Sequence, residues 1–257
     1  MQLRGTSAIV TGAASGLGAA TAAALAGAGV AVVGLDLAAG WERAAVVPSG
    51  ITRVDGDVTS PQDVAAAVTT AAGTGAPLRI AVNCAGVAWA SRILGRKGVH
   101  DLDLFRTVVG INLVGTFNVL RLAAEAMAAT EPVADDAGAG QRGLIVNTAS
   151  VAAFDGQVGQ IAYAASKGGI AAMTLPAARD LAQHGIRVMA IAPGIMDTPM
   201  MASITEEFRL GLEATVPFPA RFGRPDEYAD LVLSLAAQDY LNGEVIRFDG
   251  ALRMPPR

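Results

Sequence analysis

The sequence predicts an α/β fold, a doubly wound parallel sheet flanked by helices on both faces, and three observations carry that prediction. Short β-rich runs recur at intervals long enough to hold a helix between them. Several runs, such as Ala31, Val32 and Val33 or Ile80, Ala81 and Val82, are continuously apolar rather than alternating. Strands covered on both faces look like that. A glycine-rich turn follows the first run and opens an alanine-rich stretch, as at the start of a strand–helix–strand unit.

The elements follow in order. Strands are expected at Ser7–Thr11, 30–36, 52–57, 80–83, 144–149, 187–192 and 244–248. Helices are expected at about 17–28, 61–73, 102–130, 162–184 and 225–238, with a short one at 203–215. Alternation of this kind implies right-handed crossovers and a Rossmann-like sheet. Residues 130–142, with adjacent acids at 135 and 136, form the obvious surface loop. Pro176 falls inside a helix, which must kink there or accommodate it locally. The prolines at 193, 199, 217, 219 and 225 cluster after the sixth strand, on the carboxyl side of the sheet, where such folds bind ligands. No linker or repeat divides the chain, so residues 1–257 read as one domain with a substrate-loop region at about 195–220.

Composition narrows the function. The chain has 257 residues, a net charge of −4, 16% charged and 52% hydrophobic residues. That excludes a disordered chain and disfavours a basic nucleic-acid binder, whose phosphate contacts need clustered Lys and Arg. The single cysteine, Cys84, makes neither an intrachain disulfide nor a Cys-rich metal site. His100 and His184 have no ligand partners at suitable spacing, so no metal is expected. Residues 5–35 carry no charge, like a signal peptide or membrane span. Seven glycines interrupt them, however, so the reading is a soluble, cytoplasmic chain with no membrane partner. Lysines are scarce: only Lys97 and Lys167.

Two constellations carry chemistry. In the turn 11–18, Gly12, Gly16 and Gly18 allow a tight bend and close approach of a pyrophosphate to the backbone around Ser15 and Leu17. The helix then offers its positive N-terminal end. Asp36 ends the next strand 18 residues after Gly18, where a carboxylate meets both ribose hydroxyls of an adenosine. Neither Ser15 nor Leu37 supplies a cation for a 2′-phosphate, so NAD is expected over NADP. Farther on, Tyr163 and Lys167 stand one helical turn apart. A nearby ammonium favours the phenolate, which lets tyrosine take a proton from an alcohol as hydride leaves its carbon. Ser150, at the end of a strand 13 residues before Tyr163, can hold the substrate oxygen.

With these motifs in order, the chain resembles the short-chain dehydrogenase/reductase family over essentially its whole length. The resemblance rests on Thr11, Gly12, Gly16 and Gly18, Asp57 and Val58, Asn83, Cys84, Ala85 and Gly86, Asn112, Ser150, Tyr163 and Lys167, and Pro193 and Gly194. It implies a catalytic tetrad of Asn112, Ser150, Tyr163 and Lys167, with Asn112 breaking its helix and holding a water that relays protons with Lys167. It further implies that Lys167 binds the nicotinamide ribose and that Asp57 and Val58 border the adenine. The backbone from Pro193 and Gly194 through Met196 to Thr198 is implied to meet the carboxamide. Cys84 replaces the family's usual second asparagine, so backbone and packing are expected of it rather than thiol chemistry.

Residues 115–119, 147–160, 166–170, 216–219 and 241–247, together with the ends of the 131–143 loop, are similar to the type-2 3-hydroxyacyl-CoA dehydrogenase subfamily, also called type-10 17β-hydroxysteroid dehydrogenase. This implies NAD-dependent oxidation of (S)-3-hydroxyacyl-CoA, with Ser150, Gln157 and Tyr163 at the substrate. Residues 88–103 are shorter than in that subfamily, and 200–215 diverge where substrate is chosen. The alternatives are a hydroxysteroid or other secondary-alcohol dehydrogenase, and a scaffold that keeps the fold without turnover. Arg92, Arg96 and Lys97 are candidate cations for the phosphates of CoA, against the plainer reading of a solvated loop face. Trp41 and Trp89 read as packing residues. The family is usually tetrameric, and small residues such as Ala164, Ala165, Gly168 and Gly169 would allow close helix approach in a homotetramer.

Overall fold

The computed structural model describes residues 1–44, 47, 49–96, 98–134, 140–201 and 204–256. Its centre is a parallel sheet of β1 (Ser7–Thr11), β2 (Ala31–Asp36), β3 (Ile51–Asp55), β4 (Leu78–Asn83), β5 (Gly143–Thr148), β6 (Ile186–Pro193) and β7 (Val245–Phe248). The spatial order is β7-β6-β5-β4-β1-β2-β3, so the chain reverses direction across the sheet between β1 and β4. A parallel sheet wound outward both ways leaves a crevice at that switch point, beyond the carboxyl ends of the strands.

The continuous apolar runs are explained by the pleat. In β1, Ala8 and Val10 point to one face and Ile9 to the other, and all three are fully buried. One face packs Leu25 of α1 (Gly16–Gly27) and Tyr228, Val232 and Leu235 of α8 (Pro225–Ala237) against Val32, Val82 and Met189. The opposite face packs Val64 and Val68 of α3 (Pro61–Ala72) and Val119, Ala123 and Met127 of α5 (Gly115–Ala128) against Val33, Ala81 and Ile145. No strand of the central five has a face left for polar residues to alternate on.

Several expectations are refined. The stretch expected as one helix at 102–130 is α4 (Leu102–Val109), a π-helical turn at Gly110–Val114, and α5. A turn with one extra residue displaces the backbone at Asn112, and such bulges concentrate at functional sites. By length and hydropathy Leu102–Ala128 is apolar enough to cross a membrane, but half of its most apolar window is buried within the fold. The uncharged N-terminal stretch is β1, α1 and β2. Residues Ala38–Arg43 form α2, which no sequence signal predicted, and the short helix expected at 203–215 is α7 (Glu206–Glu213). Pro176 lies inside α6 (Ile161–Leu181).

Trp41 packs as expected, 4% exposed, and its Nε1 donates to the Val54 carbonyl at 3.2 Å. Trp89 does not: it is 47% exposed, on a segment that leaves the sheet after β4 for a short hairpin of Leu94–Gly95 and Gly98–Val99. Size and hydrophobicity suggested burial there, but no element covers that side of the indole among the described residues.

Candidate active site

The crevice beyond β1 and β4 is a cavity of about 610 Å³. Its floor is sewn together by Thr11, whose Oγ1 accepts hydrogen bonds from the Cys84 and Ala85 amides at 3.1 Å each. Gly12 has φ +65°, and a Cβ there would lie 2.9 Å from the Ala85 nitrogen. Gly18 is buried where a Cβ would meet the Gly12 carbonyl oxygen at 2.1 Å. Backbone against backbone cannot yield, so both positions exclude any side chain. Gly16, at φ +52°, opens α1 behind Ser15, and no side chain caps the helix or places an acid in its first turn. Its first N–H groups and dipole end therefore face the cavity where Ser15, Gly16, Leu17 and Gly18 line it. A pyrophosphate fits that cradle.

Asp36 stands beside the turn. Its Oδ2 accepts from the Ala14 amide at 2.9 Å and its Oδ1 from the Leu37 amide at 2.8 Å, which leaves a lone pair on each oxygen for a ribose hydroxyl. Gly40 keeps the space open, since a Cβ there would come within 2.4 Å of Oδ1. Leu37, next in the chain, is half exposed and uncharged. Asp57 accepts from the Thr59 amide and hydroxyl at 2.8 Å, while Asn118 Nδ2 donates to the Val58 carbonyl at 2.9 Å. These bonds fix the cavity wall at Asp57 and Val58.

At the other end β5 leads to Ser150, and α6 brings Tyr163 and Lys167 up on its first turns. Lys167 is 5% exposed; its Nζ donates to the Thr148 carbonyl at 2.7 Å and lies 5.7 Å from the centre of the Tyr163 ring. Burial lowers its pKa to about 8, which leaves the ammonium mostly protonated at neutral pH. Burial raises the Tyr163 phenol, and a hydrogen bond with Ser150 works against that rise. These shifts place a neutral tyrosine beside a charged lysine. Bringing the phenol down requires further positive charge.

Of the residues the sequence proposed, Gly12, Ser15, Gly16, Leu17, Gly18, Asp36, Asp57, Val58, Cys84, Ala85, Gly86, Ser150, Gln157, Tyr163, Lys167, Pro193, Gly194, Met196 and Thr198 all meet in this one cavity. Asn112 does not line it. Fully buried in the π-helical turn, Asn112 accepts from the Val87 amide at 2.8 Å and donates to the Val87 carbonyl at 2.9 Å and to Ser166 Oγ at 3.0 Å. It also backs Gly86, where a Cβ would lie 3.0 Å from its Oδ1. Asn112 thus shapes the wall at Gly86, beside Lys167. Cys84 Sγ sits 3.7 Å from Thr148 Oγ1 and 3.9 Å from the Tyr228 hydroxyl, and burial pushes its thiol pKa up, which suits a packing role. Arg92 and Arg96 are exposed and line no part of the cavity; Lys97 lies outside the described residues.

The sequence did not single out Thr11, Thr148, Met200, Met201, Phe208, Leu212 or Met254 individually as site residues. The last five line the cavity and add to its apolar wall. No motif marks apolar side chains such as Phe208 and Leu212 of α7 as lining residues, and Met254 joins the site from the opposite end of the chain.

Comparison with known proteins agrees with the geometry. Residues 6–208 match the family model for short chain dehydrogenases. The chain is 52% identical to the human 3-hydroxyacyl-CoA dehydrogenase type-2 over 258 residues, covering 99% of this chain and 97% of that one. It is 52% identical to the Drosophila melanogaster protein of the same name over 252 residues, covering 96% and 97%. The crystal structure of 3-hydroxyacyl-CoA dehydrogenase type-2 from Mycobacterium avium superposes with a TM-score of 0.91 at 45% identity, covering 98% of each chain.

Proposed function

The chain belongs to the short-chain dehydrogenase family and is an oxidoreductase, and on that premise we propose that it interconverts (S)-3-hydroxyacyl-CoA and 3-oxoacyl-CoA with NAD. The observation that carries the reading is one continuous cavity with a phosphate cradle and a carboxylate at one end, a tyrosine, lysine and serine in the middle, and an apolar pocket beyond them. Gly12, Gly16 and Gly18 hold the pyrophosphate, Asp36 the adenosine ribose, and Lys167 the nicotinamide ribose. The carboxylate of Asp36 repels a 2′-phosphate, which favours NAD over NADP.

When bound, oxidised nicotinamide supplies the hydride acceptor and a positive charge. Lys167, held by Thr148, keeps its ammonium beside the Tyr163 ring and adds to that charge. Tyr163 then takes the substrate's hydroxyl proton, while Ser150 donates to or accepts from the same oxygen and fixes its distance. Asn112, by bracketing Val87 and backing Gly86, holds the wall against which Lys167 works.

The apolar end also favours a second reading, oxidation of a hydroxysteroid, because Met200, Met201, Phe208, Leu212 and Met254 suit a flat hydrocarbon skeleton as well as an acyl chain. A panel of 3-hydroxyacyl-CoA and steroid alcohols with NAD and NADP separates the two by kcat/KM. Absence of acetoacetyl-CoA reduction discards the first. The protein is further proposed to act as a single-domain, cytoplasmic homotetramer. Val114 at 53% and Phe117 at 52% exposure support a partner surface around the start of α5. A monomer by light scattering would reject it.

A further inference from the structure

The segment 154–160 joins Ser150 to Tyr163 and carries Gln157 and Gln160 into the cavity. It contains Gly156 and Gly159, the latter at φ +91°, and is held locally by the Asp155 amide on the Val151 carbonyl at 2.8 Å, the Gln160 amide on the Gln157 carbonyl at 3.0 Å and the Ser91 amide on the Gly159 carbonyl at 2.8 Å. Bonds from the far end of the chain add to these. Arg247, on β7 at the sheet edge, donates through Nη2 to Asp155 Oδ2 at 2.6 Å and to the Leu252 carbonyl at 2.9 Å. Its Nε donates to Asp249 Oδ2 at 2.7 Å, and its guanidinium lies 5.6 Å from the centre of the Phe154 ring. The Asp155 and Asp249 side chains are 17% and 7% exposed, so this network is largely shielded from water. The tail beyond β7 then runs along the segment: the Val158 amide donates to the Pro256 carbonyl at 3.1 Å, and Gln157 Nε2 donates to the Pro255 carbonyl at 3.0 Å. Met254, between these anchors, lines the apolar end of the cavity.

We infer that residues 252–256, fastened by Arg247, form a strap that positions the segment 154–160 and so sets the shape of the substrate end. Arg247 and Asp155 are positioning residues: they touch neither the cofactor cradle nor the reacting oxygen. The inference rests on the dehydrogenase reading for its effect on turnover, but the strap itself is a property of the fold. Three bonds from one planar guanidinium to Asp155, Asp249 and Leu252 lock the angle between sheet edge and loop in a way one lysine cannot reproduce. Gln157 is oriented by the tail before any substrate arrives.

Two variants of the full protein test this: Arg247→Met, and a chain ended after Arg253. In each, KM for whichever acyl-CoA or steroid the wild type oxidises should rise about tenfold, while kcat falls less than about threefold and NADH affinity stays within about twofold. Arg247→Lys should fall between wild type and Arg247→Met. Hydrogen exchange at the Val158 amide should be at least about tenfold faster in both. Unchanged exchange in the shortened chain overturns the strap, and faster exchange with unchanged KM overturns its role at the substrate end. A parallel loss of NADH affinity also overturns it, since that marks a general loss of structure. If the wild type oxidises neither class, the dehydrogenase reading fails on that result alone, and the exchange measurement still decides the strap.

Discussion

At the adenosine end of the cavity, the constraints are backbone ones: Gly12 and Gly18 sit where any Cβ would collide with a carbonyl or amide, and Asp36 is pinned by two amides. Elsewhere Met200, Met201, Phe208, Leu212 and Met254 line the wall with apolar side chains, and ion pairs such as Arg209 with Asp197 and Arg247 with Asp155 lie in the neighbouring segments. The first arrangement tolerates almost no substitution because peptide groups cannot move aside. The second tolerates more, because apolar side chains, the three methionines above all, repack. One cavity therefore combines a fixed backbone turn with an adjustable apolar wall.

The residue where the two ends meet should give the largest effect. Tyr163→Phe should lower kcat by about 10³-fold, the size expected for losing a general acid–base group, with NADH binding unchanged by fluorescence titration. Retained activity would remove the assigned proton acceptor. Next comes the cofactor seat: Gly18→Ala should weaken NADH binding by about 100-fold or more, since a Cβ 2.1 Å from the Gly12 carbonyl forces the turn apart. Binding within threefold of wild type would break the contrast between the ends. Asp36→Ala should cut the NAD-to-NADP ratio of kcat/KM by about tenfold or more, as loss of a hydrogen-bonded charge and its repulsion implies. At the substrate end, Met201→Leu should change kcat/KM by only about threefold, with a reordered preference among chain lengths, in keeping with a volume-conserving swap.

The smallest effect concerns pH and stability. Arg247 holds the Asp155 carboxyl below its usual 3.8. A lowered acid stabilises the fold fully above its unfolded value and loses that contribution as pH falls through the folded value. Between pH 5 and pH 3 the wild type should therefore lose about 0.5 to 1 kcal/mol more than Asp155→Asn in urea unfolding, the scale of a partly exposed ion pair. Equal losses would show that the pair adds nothing to stability.

How much of this was legible in the residues follows the same division. The seven strands were readable because both faces of each central strand are buried, so Ile9, Val33 and Ala81 needed no polar alternation. The α2 helix was not, since the short run Ala38–Arg43 contains Gly40, present to clear Asp36 rather than to form helix. The spacing of Ser150, Tyr163 and Lys167 was readable in the chain, yet only the fold shows the Asn112 side chain bonded to both backbone groups of Val87.

By itself the sequence determined whatever depends on backbone geometry or a fixed spacing: the doubly wound sheet, the glycine turn, Asp36 at a strand end, and Tyr163 one turn before Lys167. Such features restrict the residue type at a position, and so leave a mark in the chain. Only the tertiary structure decided that Met254 lines the cavity, that Arg247 is bonded to Asp155 beside it, and that Thr148 holds Lys167. Those contacts join residues far apart in the chain, through side chains or carbonyls that many sequences could supply, so position in three dimensions is the only record of them.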